Sequence, residues 1–300
     1  MLRRFLAHPL TRGLDIDDPR TTELRRFIVR EKSFLRKIYE EWYMTIAAAL
    51  PPCDGPVLEL GSGAGFLREY IPGLVTSEVF PVPGVSVVLD AHDLPFCDGA
   101  LRAIVMTSVL HHLARPRRFF AEAARCVKVG GAVLMIEPWV TAWSRLVYRR
   151  LHYEPFDPEA ANWEFPETGP LSGANNALPW ILFVRDRQQF ESEFPAWQVR
   201  TIQPLMPIRY LLSGGVTLRA LMPGWTFGFW RMLENGLRPW MTVWGMFALV
   251  TLTRRALALE ADEVIGSDKG EDRLSQRRAR PGSGTLRSTA RTVPAEHSHE

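Results

Sequence analysis

Three glycines at alternate positions stand in Val57-Leu58-Glu59-Leu60-Gly61-Ser62-Gly63-Ala64-Gly65, after four residues of buried-strand character and before a helix-like run over 66–71. A turn built from glycine has no side chains to keep a ligand from its backbone. Such turns also hold dinucleotide pyrophosphates. The acid Glu59 shifts the balance toward a ligand carrying ammonium and sulfonium charge, which a carboxylate attracts. Farther on, the adjacent His111 and His112 close an apolar run and are of the type that takes a proton from a hydroxyl or ammonium. The competing role for both is a satisfied core or capping histidine.

A second group of polar and aromatic residues follows position 136. Glu137, Trp139, Tyr148, His152, Glu154, Asn175, Asn176, Trp180, Arg185 and Asp186 are candidates to line an acceptor pocket. Packing with paired charges, and asparagines that stabilise turns, are the alternatives. Cys53, Cys97 and Cys126 are odd in number and form no C-x-x-C pair, so neither a zinc site nor a disulfide framework is expected. No metal site is read from the sequence.

The elements that must position these groups alternate. Residues 1–52 read as a helical extension: Asp18 can cap, Pro19 suits the first helical position, and Leu24, Ile28, Leu35, Ile38, Trp42 and Ile46 form one stripe ended by Pro51 and Pro52. Over 53–139, short apolar runs alternate with helix-like segments, the pattern of a parallel α/β sheet. Strands are expected at 57–60, 74–78, 85–89, 101–107 and 132–136, with a helix over 116–127 closed by Gly130-Gly131. Residues 140–196 interrupt the alternation as an inserted lid. Residues 197–256 complete the sheet with strands near 197–202 and 245–253, around an aromatic-rich helical insertion. Apolar periodicity is lost over 257–300, which predicts a disordered tail.

VLELGSGAG resembles motif I of the class I S-adenosylmethionine-dependent methyltransferases (type 11-like), and three further stretches fall in that family's order: VVLDAHDLPF, AIVMTSVLHHL and FFAEAARCVKVGGAVLMIE. The resemblance implies an α/β, Rossmann-like, mostly parallel seven-stranded sheet with 245–253 as its reversed strand, and S-adenosyl-L-methionine as cofactor. It places Glu59, Gly61, Ser62, Gly63, Gly65 and Ser108 around the donor. Asp90 would accept from the adenine amino group while the Ala91 N–H faces the ring, and Glu78 would take the ribose hydroxyls. One departure stands out: only 79–84 separate Glu78 from the third strand, whereas a parallel crossover usually takes a dozen residues or more. Tyr39, Trp42 and Tyr43 are candidates to lean over the donor, against plain packing of their helix.

Methyl transfer is an in-line displacement, so the protein chiefly aligns two reactants and excludes water. The aromatic content after residue 138 suggests an acceptor with an apolar part, a small molecule or one linked to lipid or glycan. A nicotinamide-dependent oxidoreductase and a binding scaffold without turnover are the competing readings. At 300 residues, with 36 Lys and Arg against 33 Asp and Glu, the chain has no concentrated basic face of the kind nucleic acid needs. Neither a signal peptide nor an apolar run of membrane-spanning length is read, and a cytoplasmic location is expected. The stretch 206–244, rich in Trp and Phe beside arginines, could rest peripherally on a membrane surface.

Overall fold

Runs such as Val-Leu-Glu-Leu and Leu-Arg-Ala-Ile-Val-Met-Thr are apolar on both pleats, which suits strands covered on both faces. In the computed structural model they lie at the centre of a seven-stranded sheet. The structure describes residues 8, 15, 17–151, 154–166, 169 and 171–256; the tail expected over 257–300 and the candidate His152 lie outside the described residues. The strands are β1 Val57–Leu60, β2 Val75–Glu78, β3 Val87–Val88, β4 Leu101–Thr107, β5 Val127–Pro138, β6 Trp197–Leu205 and β7 Phe247–Arg254. Their order is β3-β2-β1-β4-β5-β7-β6, with β1 to β5 parallel and β7 antiparallel to both neighbours. The mostly parallel, Rossmann-like architecture with a reversed late strand is therefore present.

Side chains alternate between two cores. Leu58, Leu60, Ile104, Met106 and Val133 face Phe119, Phe120, Phe183, Phe190 and Trp197 on one side. Val57, Val105, Leu134 and Ile136 face Leu35, Ile38, Trp42 and Ile46 on the other. The helical extension is two helices, α1 Pro19–Glu31 and α2 Ser33–Ala48. Asp18 caps the first, its side chain accepting from the Arg20 N–H at 2.9 Å. The break falls at Lys32, whose Nζ donates to the carbonyls of Gly215 (2.7 Å) and Ser213 (3.2 Å), joining this region to the loop over 213–218.

Helix α3, Pro116–Cys126, ends earlier than its glycine pair suggests. Gly130 and Gly131 do not cap it; they lie inside β5. Val127 is already extended, and a Cβ on Gly131 would sit 2.6 Å from the Arg102 carbonyl, so the glycine permits close approach of β4 where the register shifts. The helix-like 66–71 segment is reduced to a 3₁₀ turn over Leu67–Glu69, and the link from β2 to β3 holds no helix, only a bend at 79–80 and a turn at Pro83-Gly84. The 140–196 stretch divides. Helix α4, Ala142–Leu151, and residues 171–176 border the site, whereas Leu178–Trp180, the π turn Ile181–Arg185 and helix α5, Arg187–Glu193, bury Phe183 and Phe190 against the sheet. Helices α6 Arg209–Ser213 and α7 Phe227–Gly236 are joined by buried Glu234, which accepts from the Ile208 N–H (2.8 Å), the Arg209 N–H (2.7 Å) and the Arg209 guanidinium.

Within β1 one residue opposes the apolar pattern. Glu59 is 3% exposed, and burial lifts its carboxyl from 4.5 to about 7. The Ser62 hydrogen bond and Arg68 resist that rise, and Glu78 adds to it. The folded chain therefore holds this proton more tightly than the unfolded chain, and stability is lost as pH climbs from the ordinary carboxylate value through about 7. Near pH 8, Glu59→Gln is expected to be more stable than the parent by on the order of 3 kcal/mol. The gap should close near pH 4.5 in urea titrations; an equal gap at both pH values would contradict the burial account.

Candidate functional site

The chain order turns back between β1 and β4, and in open parallel sheets ligands bind outside the carboxyl ends of the strands at such a switch point. A cavity of about 710 Å³ opens there, within the size range of small-molecule and cofactor sites. Its floor is built by Leu60, Gly61 and Ala64 after β1, Ser77 and Glu78 at the end of β2, Asp90 to His92 after β3, and the residues that follow β4. Thr22 and Arg25 of α1, Tyr39 of α2, Leu171, Asn176 and the 214–218 loop wall it in.

The glycine turn is held by its neighbours as well as open to the cavity. Gly61 has φ +66°, and a Cβ there would fall 2.5 Å from Val109 Cγ2. The Gly63 N–H donates to Glu78 Oε1 at 2.7 Å, and the Arg26 Nε–H donates to the Gly63 carbonyl at 2.7 Å. Burial pushes the Glu78 carboxyl up, while the Gly63 and Val79 N–H groups and Arg26 resist. Ser62 ties β1 to β2, its Oγ accepting from the Ser77 N–H at 3.1 Å. Glu59, Ser62 and Gly65 line a separate pocket of about 90 Å³, away from the main cavity.

At the other strands, Asp90 Oδ1 accepts from the His92 N–H (2.8 Å) and ring Nδ1 (2.7 Å). Burial raises this carboxyl, but the contacts with His92 outweigh it and hold it below the usual range. Ala91 and Ser108 also line the cavity. Ser108 is a non-glycine residue at φ +57°, a conformation costing on the order of 1–3 kcal/mol, and its N–H donates to the Ile136 carbonyl at 2.8 Å.

Beyond Ser108 the two histidines meet two glutamates. Glu137, fully buried, accepts from the Val109 and Leu110 N–H groups at 2.8 Å each and from His111 Nδ1 at 2.7 Å. His111 Nε2 stands 3.6 Å from Glu154. Burial disfavours the charged imidazole, yet its hydrogen bonds to Glu137 and Glu154 outweigh that and raise His111 to about 9. His112, with its ring centre 4.2 Å from that of His111, is lowered to about 4 by burial and then by the His111 charge. Its Nδ1 lies 3.1 Å from the Gly173 carbonyl, which only an N–H can satisfy, so Nε2 carries the lone pair.

The remaining candidates divide. Tyr148 lines the cavity, its hydroxyl donating to the Met246 carbonyl at 2.6 Å, and Tyr39 lines it as well. Trp42 and Tyr43 are buried in the core of their helix. Glu137 orients His111 from behind, and Trp139 is buried in the sheet's other core. Asn175 closes a turn, its Oδ1 accepting from the Asp157 and Ala177 N–H groups. Trp180 lies under Arg145, and Arg185 donates to the Pro158 and Ala160 carbonyls and pairs with Asp186. None of these last three reaches the cavity, because each is occupied locally. Sequence reasoning does not single out His92 as a site residue, whereas Glu154 and Asn176 stand among the sequence candidates; all three line the cavity, arriving from separate loops.

Residues 58–135 match the family model described as "Methyltransferase domain". No curated protein matches the sequence. Among solved structures, similarity extends to geranyl diphosphate C-methyltransferase from Streptomyces coelicolor A3(2), at 15% identity and TM-score 0.42 over 76% of this chain and 82% of that one. It extends also to the YcgJ protein from Bacillus subtilis, at 15% identity and TM-score 0.42 over 72% of this chain and 100% of that one. The [4+2]-cyclase SpnF is similar at 14% identity and TM-score 0.39 over 71% of this chain and 81% of that one. The family model covers residues 58–135 of the 300, and the stretches that resemble methyltransferase motifs lie in that family's order along this sheet.

Proposed function

We propose that the chain transfers the methyl group of S-adenosylmethionine to a partly apolar small molecule. The observation that carries this reading is that a single cavity has two ends of different chemistry. At one end Glu78 and Asp90 offer carboxylates to hydroxyl and amino donors. His92 suits the same end: its Nδ1 faces Asp90, which leaves Nε2 as a buried acceptor without a hydrogen-bond partner among the described residues. Gly61, in a left-handed turn packed on Val109, brings bare backbone to that floor, and with these carboxylates the residues present fit an adenosyl group. At the other end His111, His112, Tyr148 and Glu154 meet apolar Val147, Leu151 and Leu211.

When bound, S-adenosylmethionine supplies an electrophilic methyl on a sulfonium. The chain's own contribution is to align and to exclude water. Asp17 Oδ1 accepts from the Leu171 N–H at 2.6 Å, holding the start of α1 against the 171–176 segment, and Lys32 holds the 213–218 loop from the other side. His112 Nε2 carries a lone pair at the acceptor end, available to a hydroxyl or to a cation.

A scaffold without turnover is separated by incubating full-length protein with methyl-labelled donor and fractionated small-molecule, lipid and glycan extracts. Label is expected in a fraction holding amphiphilic molecules with a free hydroxyl. Folded protein that binds S-adenosylhomocysteine yet labels no fraction would favour the scaffold.

No described helix is long and apolar enough to cross a membrane. The region of α7 nevertheless exposes Trp225 (84%), Phe229, Met232 and Trp240 near Arg231 and Arg238, which supports peripheral contact with a lipid surface. Full-length protein is expected to float with anionic liposomes at low salt, and Trp225→Ser with Phe229→Ser to float far less. Failure of the parent to co-migrate removes the membrane reading.

A further inference from the structure

The acceptor end of the cavity gathers three metal-ligating side chains that methyl transfer does not by itself require. His111 Nε2 is 3.6 Å from Glu154 Oε2, His112 Nε2 is 3.9 Å from Glu154 Oε1, and ligand atoms of the three residues all lie within 4.8 Å of one another. We propose that His111, His112 and Glu154 hold a divalent transition-metal ion that anchors the acceptor. Tetrahedral coordination at about 2.0–2.1 Å sets ligand atoms roughly 3.3 Å apart, so the widest separation has to close by at most about 1.5 Å, shared between two side chains.

Three observations support the assignment beyond proximity. The outer nitrogen of each imidazole is already committed: His111 Nδ1 to the buried Glu137 carboxylate at 2.7 Å, and His112 Nδ1 to the Gly173 carbonyl at 3.1 Å. Metal-bound histidines show this pattern, which fixes the tautomer and turns Nε2 to the ion. Next, His112 Nε2 and Glu154 Oε1 are both acceptors facing each other, an arrangement that a cation between them makes attractive. Finally, Asn176 is 1% exposed and lines the cavity; its Nδ2 donates to Glu154 Oε2 (3.1 Å) and to the Pro155 carbonyl (3.2 Å), while its Oδ1 has no hydrogen-bond partner among the described residues. The two carbonyl-type partners fix which end of the amide is oxygen, so a buried oxygen beside Glu154 is left to face a donor or a cation.

Two imidazoles and one carboxylate suit zinc, iron(II), manganese or cobalt better than the all-oxygen shells of calcium or magnesium. Three protein ligands leave positions open for substrate. The acceptor class is accordingly a hydroxyl compound with a second oxygen near enough to chelate, such as an ene-diol, an ortho-diphenol or a hydroxy acid. Binding to the ion lowers the hydroxyl's pKa, and its proton passes to solvent. The oxygen lone pair then forms the new O–CH₃ bond while the S–CH₃ bonding pair returns to sulfur, leaving S-adenosylhomocysteine as a neutral thioether. The transfer step rests on the methyltransferase reading; the ion site does not.

The test uses tag-free, full-length protein stripped with chelator and titrated with Co²⁺, followed by visible absorption and calorimetry, with S-adenosylhomocysteine titrated separately. One Co²⁺ per chain is expected, at least about tenfold weaker in Glu154→Gln and in His112→Gln, each checked for folding by its thermal transition. Because His297 and His299 could take up metal on their own, the parent is compared with a His297→Ala, His299→Ala form, in which binding should persist. The proposal is overturned if folded parent that binds S-adenosylhomocysteine takes up no Co²⁺, if neither site variant weakens uptake, or if uptake disappears with the two tail histidines. Co²⁺ uptake that depends on Glu154 and His112, without any binding of S-adenosylhomocysteine, would support the ion site and sink the methyl-transfer reading.

Discussion

The carboxylate of Glu137 sits fully buried at the end of β5 and takes three donors: two successive backbone N–H groups after β4 and the ring of His111. A buried charge is tolerable only when its oxygens are satisfied, and losing one partner would leave an uncompensated charge in the core. This interaction converts the end of a central strand into the turn that carries Ser108 at φ +57° and aims His111 Nε2 at Glu154. The side chain never lines the cavity, yet it settles where the cavity's polar end lies.

The opposite wall depends on similar use of buried backbone acceptors. Lys32 stands at the break between α1 and α2, and its ammonium donates to carbonyls of the 213–218 loop. Desolvation lowers that amine to about 8, a cost offset by those carbonyls. Arg26 reaches the Gly63 carbonyl from α1, and Glu234 organises the turn into α6. Residues far apart in sequence thus close over the switch point, held by side chains that reach buried backbone groups.

Much of the framework is legible in the sequence. β1 and β4 begin and end where their continuous apolar runs do, since strands buried on both faces need such runs. β3 is shorter than its apolar run, only two residues, because the short link from β2 leaves little room for pairing. Gly130-Gly131 misleads because a glycine pair after a helix looks the same whether it caps the helix or admits a neighbouring strand. Within the site, Gly61, Glu78, Asp90, Ala91, Ser108, His111, His112 and Tyr148 share the main cavity. Arg185 and Asn175 are engaged with nearby backbone, a local use that composition cannot separate from a pocket role. Glu154 and Asn176 stand among the sequence candidates, yet nothing in their spacing separates them from Asn175 and Arg185, because their meeting with the histidines is made by tertiary folding alone.

The central claim is that this cavity is shaped for a sulfonium nucleoside. Calorimetric titration of folded, full-length protein with S-adenosylhomocysteine, and in parallel with NAD, tests it most directly. The account expects one S-adenosylhomocysteine per chain, weakened at least about tenfold in Asp90→Ala, a loss on the order of 1.4 kcal/mol or more, with no heat from NAD. Binding of NAD with no uptake of S-adenosylhomocysteine would contradict it.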